Sequence, residues 1–384
     1  MTLSAGGRIG LAGAAVVGVA FGMARYAYGV TLPDIRADLG LSELVLGLIA
    51  SATFVGYLAG LLLAGPLAAR RGSRAPTTVG GVCGAVGAVI VALAPSPWLL
   101  ALGAVLAGGA GGWVWAPYSD IVTRTVALRQ QPRALAIITT GTSGGLVVLG
   151  GLAILAIVGS WRLVWVAIAV AAVLAALVNL RLVPRTAPAP AAERSADGPS
   201  LVAALRVPAA YSVVYFAAVI IYFTYAADVL DRGSLPEWAV PALYIAIGLT
   251  GVSGVATGAA AQRLGSTRVA ASCLVIVAAA LALLGLASES LAATAISACI
   301  FGVGYMAGSA VLAVWTAELV PERAGAAFTA CLVVGAVSSV AAPAVAGAVI
   351  PGLGLGTVLV ITAAVSLASG VLLMRPALND TARS

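Results

Sequence analysis

Lysine and histidine are both absent from the 384 residues, and all twenty basic side chains are arginine. Without lysine there is no ammonium to grip nucleotide phosphates in a Walker loop and none to form a Schiff base. Without histidine there is no imidazole base or imidazole metal ligand. These gaps argue against ATP-driven pumping by this chain alone. Charge of either sign is scarce, at 9% of residues against roughly 25% in soluble domains. The four cysteines, Cys83, Cys273, Cys299 and Cys331, fall inside apolar runs without metal-ligand spacing, so they read as small buried hydrophobes. No nucleophile–base pair stands out either. The reading is of a protein that is not an enzyme, with no catalytic residues, no metal site and no cofactor.

Apolar side chains fill the space that charge leaves: 62% of residues are hydrophobic and the mean hydropathy is +1.11. Runs of about twenty apolar residues are long enough to cross a bilayer as helices. Twelve occur, near 8–32, 42–64, 75–94, 98–122, 134–157, 162–183, 207–228, 239–258, 269–287, 291–315, 326–347 and 354–374. They lack the two-residue alternation of barrel strands, so their backbone groups must be satisfied within helices. The first run follows Arg8 but is too long for a signal peptide and has no convincing cleavage site. It is helix 1 of an all-α integral membrane protein.

Charge sets the orientation. With the first residues inside, sixteen arginines fall in cytoplasmic segments and only Arg36, Arg162 and Arg232 in outer loops, which puts both termini in the cytoplasm. A cytoplasmic membrane, with the lipid bilayer as partner, follows from this pattern. The arginines are scattered through short loops without interleaved aromatics, so nucleic acid is not an expected partner. Residues 184–206 form a Pro/Ala-rich polar linker. It separates a six-helix bundle at 1–183 from another at 207–384.

The two bundles repeat each other. Gly65, Arg70, Gly72 and Arg74 of the turn between helices 2 and 3 are answered by Gly258, Arg263, Gly265 and Arg268, and Arg133 and Cys83 by Arg323 and Cys273. Repeats of this kind mark two pseudo-symmetric halves. On the helix 2–3 turn the chain resembles the twelve-helix members of the major facilitator superfamily, whose pattern there is Gly-x-x-x-Asp-Arg-x-Gly-Arg-Arg. It departs at Ala69, where the acid is expected, and at Ser73. Gly141, Gly145 and Gly150 of helix 5 are similar to the superfamily's antiporter motif, with Leu146 in place of its proline. The resemblance implies two bundles that rock about a central site, and helices 1 and 7 lining it.

Arg25 is the outstanding candidate for chemistry. It lies nine residues before Asp34, about 13 Å along a helix and hence near mid-membrane, where a cation is costly and by default functional. It is read as the anchor for an anionic substrate, through a bidentate contact. The alternative is an arginine locked to backbone carbonyls or a distant acid. Tyr28, Trp113, Trp115, Tyr222, Tyr225 and Tyr305 are expected to shape an organic-solute pocket, although Tyr28 and Tyr225 suit an interfacial belt equally well. Glycines at 56, 60, 108, 112, 248, 251, 254 and 258 read as small faces for close helix contact. Arg70, Gly72, Arg74, Asp120, Arg263 and Arg268 are candidate gating residues. Asp120 stands four before Arg124, a pairing distance, and is also within reach of Arg70 or Arg74 when the inside closes. Asp228 and Glu318 are candidate proton sites, for which a solvated helix end is the plainer reading.

The sequence thus points to a secondary transporter that moves a small organic anion by alternating access, functional as a monomer, with proton coupling implied only by the resemblance. Two alternatives stay open: multidrug efflux by proton antiport, and a membrane receptor that transports nothing.

Overall fold

The computed structural model describes residues 4–188 and 198–375. Residues 189–197 of the expected linker, Arg194 among them, and Arg383 of the charge pattern lie outside the described residues. Among the described residues, twelve helices are long and apolar enough to cross a membrane. They are α1 Gly6–Leu39, α2 Glu43–Arg71, α3 Arg74–Ala92, α4 Pro97–Thr125, α5 Leu128–Val158, α6 Trp161–Leu182, α7 Val202–Arg232, α8 Ala239–Leu264, α9 Ser266–Leu286, α10 Leu291–Leu319, α11 Pro321–Leu353 and α12 Leu355–Met374. Every expected run is present, but most helices overshoot the apolar limits. Hydropathy marks what lies in hydrocarbon, whereas backbone hydrogen bonding continues into the polar boundary. The helix that contains α7 begins at Gly198, inside the segment read as linker.

Local chemistry sets several boundaries. At the start of α2 the Ser42 hydroxyl accepts from the Val45 amide at 3.4 Å, Glu43 occupies the first turn, and Arg70 and Arg71 the last. That arrangement opposes the helix dipole at both ends. Winding changes along several helices: α1 is a π-helix over Gly18–Ala24, α4 and α8 pass through 3-10 turns at Ala110–Trp113 and Val252–Ala256, and α5 and α11 open on 3-10 turns at Leu128–Gln130 and Pro321–Arg323.

The chain divides into two compact units, Met1–Arg194 and Ser195–Ser384. In the first, α1 packs on α5, α2 on α4, and α3 on both α4 and α6. In the second, α7 packs on α11, α8 on α10, and α9 on both α10 and α12. The pairings are the same six helices apart, which is the structural counterpart of the sequence repeat.

Glycine makes the closest crossings possible. A Cβ at Gly145 of α5 would lie 2.1 Å from the Gly18 carbonyl oxygen of α1, and one at Gly56 of α2 would lie 1.8 Å from the Val105 carbonyl oxygen of α4. Gly108 and Gly112 are equally tight, as expected of a small-residue face. Gly258 meets nothing within 4 Å, so its expected role in close contact is not seen. Large aliphatic side chains such as Leu48, Leu62, Val170 and Leu174 are exposed. On a chain that spans a membrane they face acyl chains, where apolar exposure costs nothing.

Candidate functional site

Arg25 lies near the midpoint of α1, directly after the π-helical segment, and is only 4% exposed. Four rings of its own unit surround the guanidinium. Its carbon is 4.3 Å from the ring centre of Tyr57, 5.2 Å from Phe54, 5.5 Å from Phe21 and 5.6 Å from Tyr26. Each distance falls within the range of cation–π attraction, which strengthens when the cation is shielded from water. Phe21 stands edge-on to Tyr57, and Gly111 of α4 faces both rings, where a Cβ would lie in ordinary contact at 3.4–3.6 Å. Phe54 and Tyr57, three residues apart, share one face of α2. The result is a buried cation in an aromatic cage built from α1 and α2 and backed by α4.

The other expected pocket residues divide between the units. Tyr28 is buried and donates to the Leu46 carbonyl at 2.9 Å, tying α1 to α2. The indole of Trp113 lies where a side chain at Gly60 would be, so it is wedged against α2, while Trp115 is half-buried. In the second unit Tyr222 stacks on Phe301 at 3.6 Å and shares a hydrogen bond with the Ser297 hydroxyl. Phe301 and Phe223 contact Tyr305. Tyr225 donates to the Pro343 carbonyl at 3.1 Å. Tyr222, Phe223, Phe301 and Tyr305 form one aromatic cluster between α7 and α10. Tyr28 and Tyr225 are buried, so the interfacial-belt reading is corrected for both.

A cavity of about 800 Å³ in the second unit is lined by α7, α11 and α12. Its hydroxyls at Ser338 and Thr362 already donate to carbonyls of their own helices, and the rest of the lining is aliphatic. It offers nothing to an anion.

At the arginine-rich end of the first unit, the turn between α2 and α3 is held from several sides. Ser73 donates its hydroxyl to Asp120, which also pairs with Arg124 at 2.8 Å. The expected helix-surface pair is therefore present, and Ser73 rather than Arg70 or Arg74 is the second partner of Asp120. Arg74 instead donates to the Val183 carbonyl at 3.2 Å. The segment after α6 crosses this turn. Thr186 accepts from the Ser73 amide at 2.7 Å, its carbonyl lies where a side chain at Gly72 would be, and the Ala187 carbonyl accepts from Arg124. Beneath the turn Tyr118 donates to Asn179, which donates to Thr77. In the matching turn of the second unit, Arg263 and Arg268 are exposed and a Cβ at Gly265 would meet nothing within 4 Å.

The two candidate proton sites differ sharply. Glu318 is exposed, whereas Asp228 is fully buried in α7 and paired with Arg232 at 3.0 Å. The solvated-end reading of Asp228 is corrected: α7 runs on to Arg232, which places residue 228 a full turn inside the helix. Phe21, Phe54, Tyr57, Asn179 and Thr186 were not singled out from sequence, and Ser73 was noted only as a departure from the turn pattern. The spacing Phe21-x-x-x-Arg25 was the one available signal, since residues four apart share a helix face.

Twelve spans in two units of matched pairing, with buried charges in α1 and α7, are the architecture of a membrane transporter. The family model of the Major Facilitator Superfamily matches residues 14–259, and the chain belongs to that family. No curated protein matches it. Among solved structures, a mutant of the nucleoside transporter NupG is similar at a TM-score of 0.73 and 15% identity, covering 95% of this chain and 99% of that one. At that identity the likeness concerns the fold.

Proposed function

We propose that this transporter carries a small organic anion across the cytoplasmic membrane by alternating access, with Arg25 as the charge anchor. One observation carries the reading: a guanidinium held at mid-span, 4% exposed, in a helix whose other charged residues, Arg8, Asp34, Arg36 and Asp38, lie toward its two ends. Such a charge is expensive to bury and is retained where it meets a substrate or lines a pathway. The mechanism is rocking of residues 1–183 against 207–384, with arginine-rich turns and both termini on the cytoplasmic side. Asp228 is the candidate for proton coupling, as the buried carboxylate of α7. A single chain is the functional unit.

The test is thermal-shift binding of the purified protein against small carboxylates, nucleosides, other neutral metabolites and lipophilic cations, run in parallel on Arg25→Ala. A carboxylate that stabilises the parent and not the variant supports the reading. Lipophilic cations that stabilise both equally would make Arg25 structural and favour multidrug efflux. Nucleosides that bind both equally would shift the substrate to a neutral solute. An absence of saturable movement for the whole panel in liposomes would favour the receptor.

A further inference from the structure

Resting on the anion reading of Arg25, we infer that the site takes a monocarboxylate with an apolar or aromatic body, discriminates against dianions, and is entered past Phe21. The charge count comes first. Among the described residues only two charged side chains are buried, Arg25 in the first unit and Asp228 in the second. Neither unit therefore buries a second cation. One carboxylate matches the guanidinium's fork, two parallel N–H groups to two oxygens. A second ionised group taken from water into the same surroundings finds no countercharge and keeps its whole desolvation penalty.

The walls select the rest of the molecule. Phe21, Tyr26, Phe54 and Tyr57 present ring surfaces within 5.6 Å of the guanidinium carbon. The Tyr28 hydroxyl, three residues beyond Arg25 in α1, is engaged with the Leu46 carbonyl. Rings of this kind favour a flat or aliphatic body and supply little to a polyhydroxylated one. Access follows from burial. Tyr26, Phe54 and Tyr57 are buried, and Phe21 is the cage ring with partial exposure. Phe21 also sits on the π-helical segment, a winding often found at functional sites. Displacing that ring opens the guanidinium without dismantling the α1–α2 contact, whereas Tyr57, the nearest ring, keeps the guanidinium plane in position.

The experiment is equilibrium binding to the full chain in detergent with four probes: benzoate, hexanoate, succinate and inorganic phosphate. The proteins are the parent, Arg25→Ala, Arg25→Lys and Phe21→Ala. Benzoate or hexanoate is expected to bind the parent at least tenfold more tightly than succinate or phosphate at neutral pH. Arg25→Ala and Arg25→Lys should each lose tenfold or more, because an ammonium keeps the charge but not the fork. Phe21→Ala should speed association of benzoate. Succinate affinity should rise as pH falls and the singly protonated form accumulates, a change that a merely structural Arg25 would not produce.

Succinate or phosphate binding as tightly as benzoate, with Arg25 still required, overturns the inference and leaves the anion reading intact. Monocarboxylate binding unaffected by either Arg25 variant overturns the anion reading itself. Failure of every probe to bind the parent overturns the inference. Should the Arg25 variants not fold, the parent's ranking of the four probes and its pH dependence with succinate still decide it.

Discussion

Gly72 and Gly265 end equivalent helices in nearly the same backbone geometry, φ 80° with ψ 160° and φ 87° with ψ 142°. This region is essentially closed to residues with a side chain and costs them about 1–3 kcal/mol. Only Gly72 is also crowded, because an added Cβ would lie 2.0 Å from the Thr186 carbonyl oxygen. Gly72→Ala should therefore lower the melting temperature clearly more than Gly265→Ala, as measured by thermal unfolding in detergent. Asn179 offers a second comparison at this scale. It is fully buried, accepts from Tyr118 at 2.6 Å and donates to Thr77 at 3.1 Å. Asn179→Leu leaves the Tyr118 hydroxyl without an acceptor, a loss of about 1–3 kcal/mol. Tyr118→Phe together with Asn179→Leu should recover part of it in the same assay. Arg25 itself was legible in the sequence because charge inside an apolar run is conspicuous. Its cage was not, since aromatic residues look alike in composition wherever they point.

Helix α1 is shaped by what presses on it. Gly18 and Gly22 meet Gly141 and Gly145 of α5 backbone to backbone, alongside the segment where α1 adopts the wider π winding. Gly145→Ala places a methyl carbon 2.1 Å from the Gly18 carbonyl oxygen, and overpacking of that kind costs about 1–3 kcal/mol. It should reduce both folded yield and transport, whereas Gly144→Ala, with nothing within 4 Å, should change neither. The comparison is one of size-exclusion profile and initial uptake rate. Apolar runs revealed each of the twelve helices because hydrophobic length is the property a bilayer selects. The π and 3-10 windings in α1, α4 and α8 were hidden, since they depend on which carbonyl each amide reaches and hydropathy is blind to that. Asp228 was misread for a related reason: the helix carries on past the last apolar residue, so the carboxylate is interior.

At the scale of the whole chain, α1–α5, α2–α4 and α3–α6 recur as α7–α11, α8–α10 and α9–α12, and the sequence repeat had announced this symmetry. Its exception is the segment after α6, whose proline- and alanine-rich composition reads as a plain tether. Composition gives no hint that Val183, Thr186 and Ala187 bond to Arg74, Ser73 and Arg124, because carbonyls and one threonine hydroxyl make the contacts. Where the superfamily's turn has an acid and an arginine, this chain has Ala69 and Ser73. The returning segment supplies polar partners of its own at that turn. Thr186→Val should accordingly slow transport and loosen protection of the amide at Ser73, as followed by hydrogen exchange.

The same crossing has a practical meaning for anyone dividing the gene. Two co-expressed fragments that part after residue 188 carry the whole strap with the first fragment and should assemble into a working pair. Fragments that part after residue 183 hand the strap to the wrong partner, where it must find its place as a separate molecule. The cut that keeps the strap with its own turn lies a few residues beyond the end of the sixth helix.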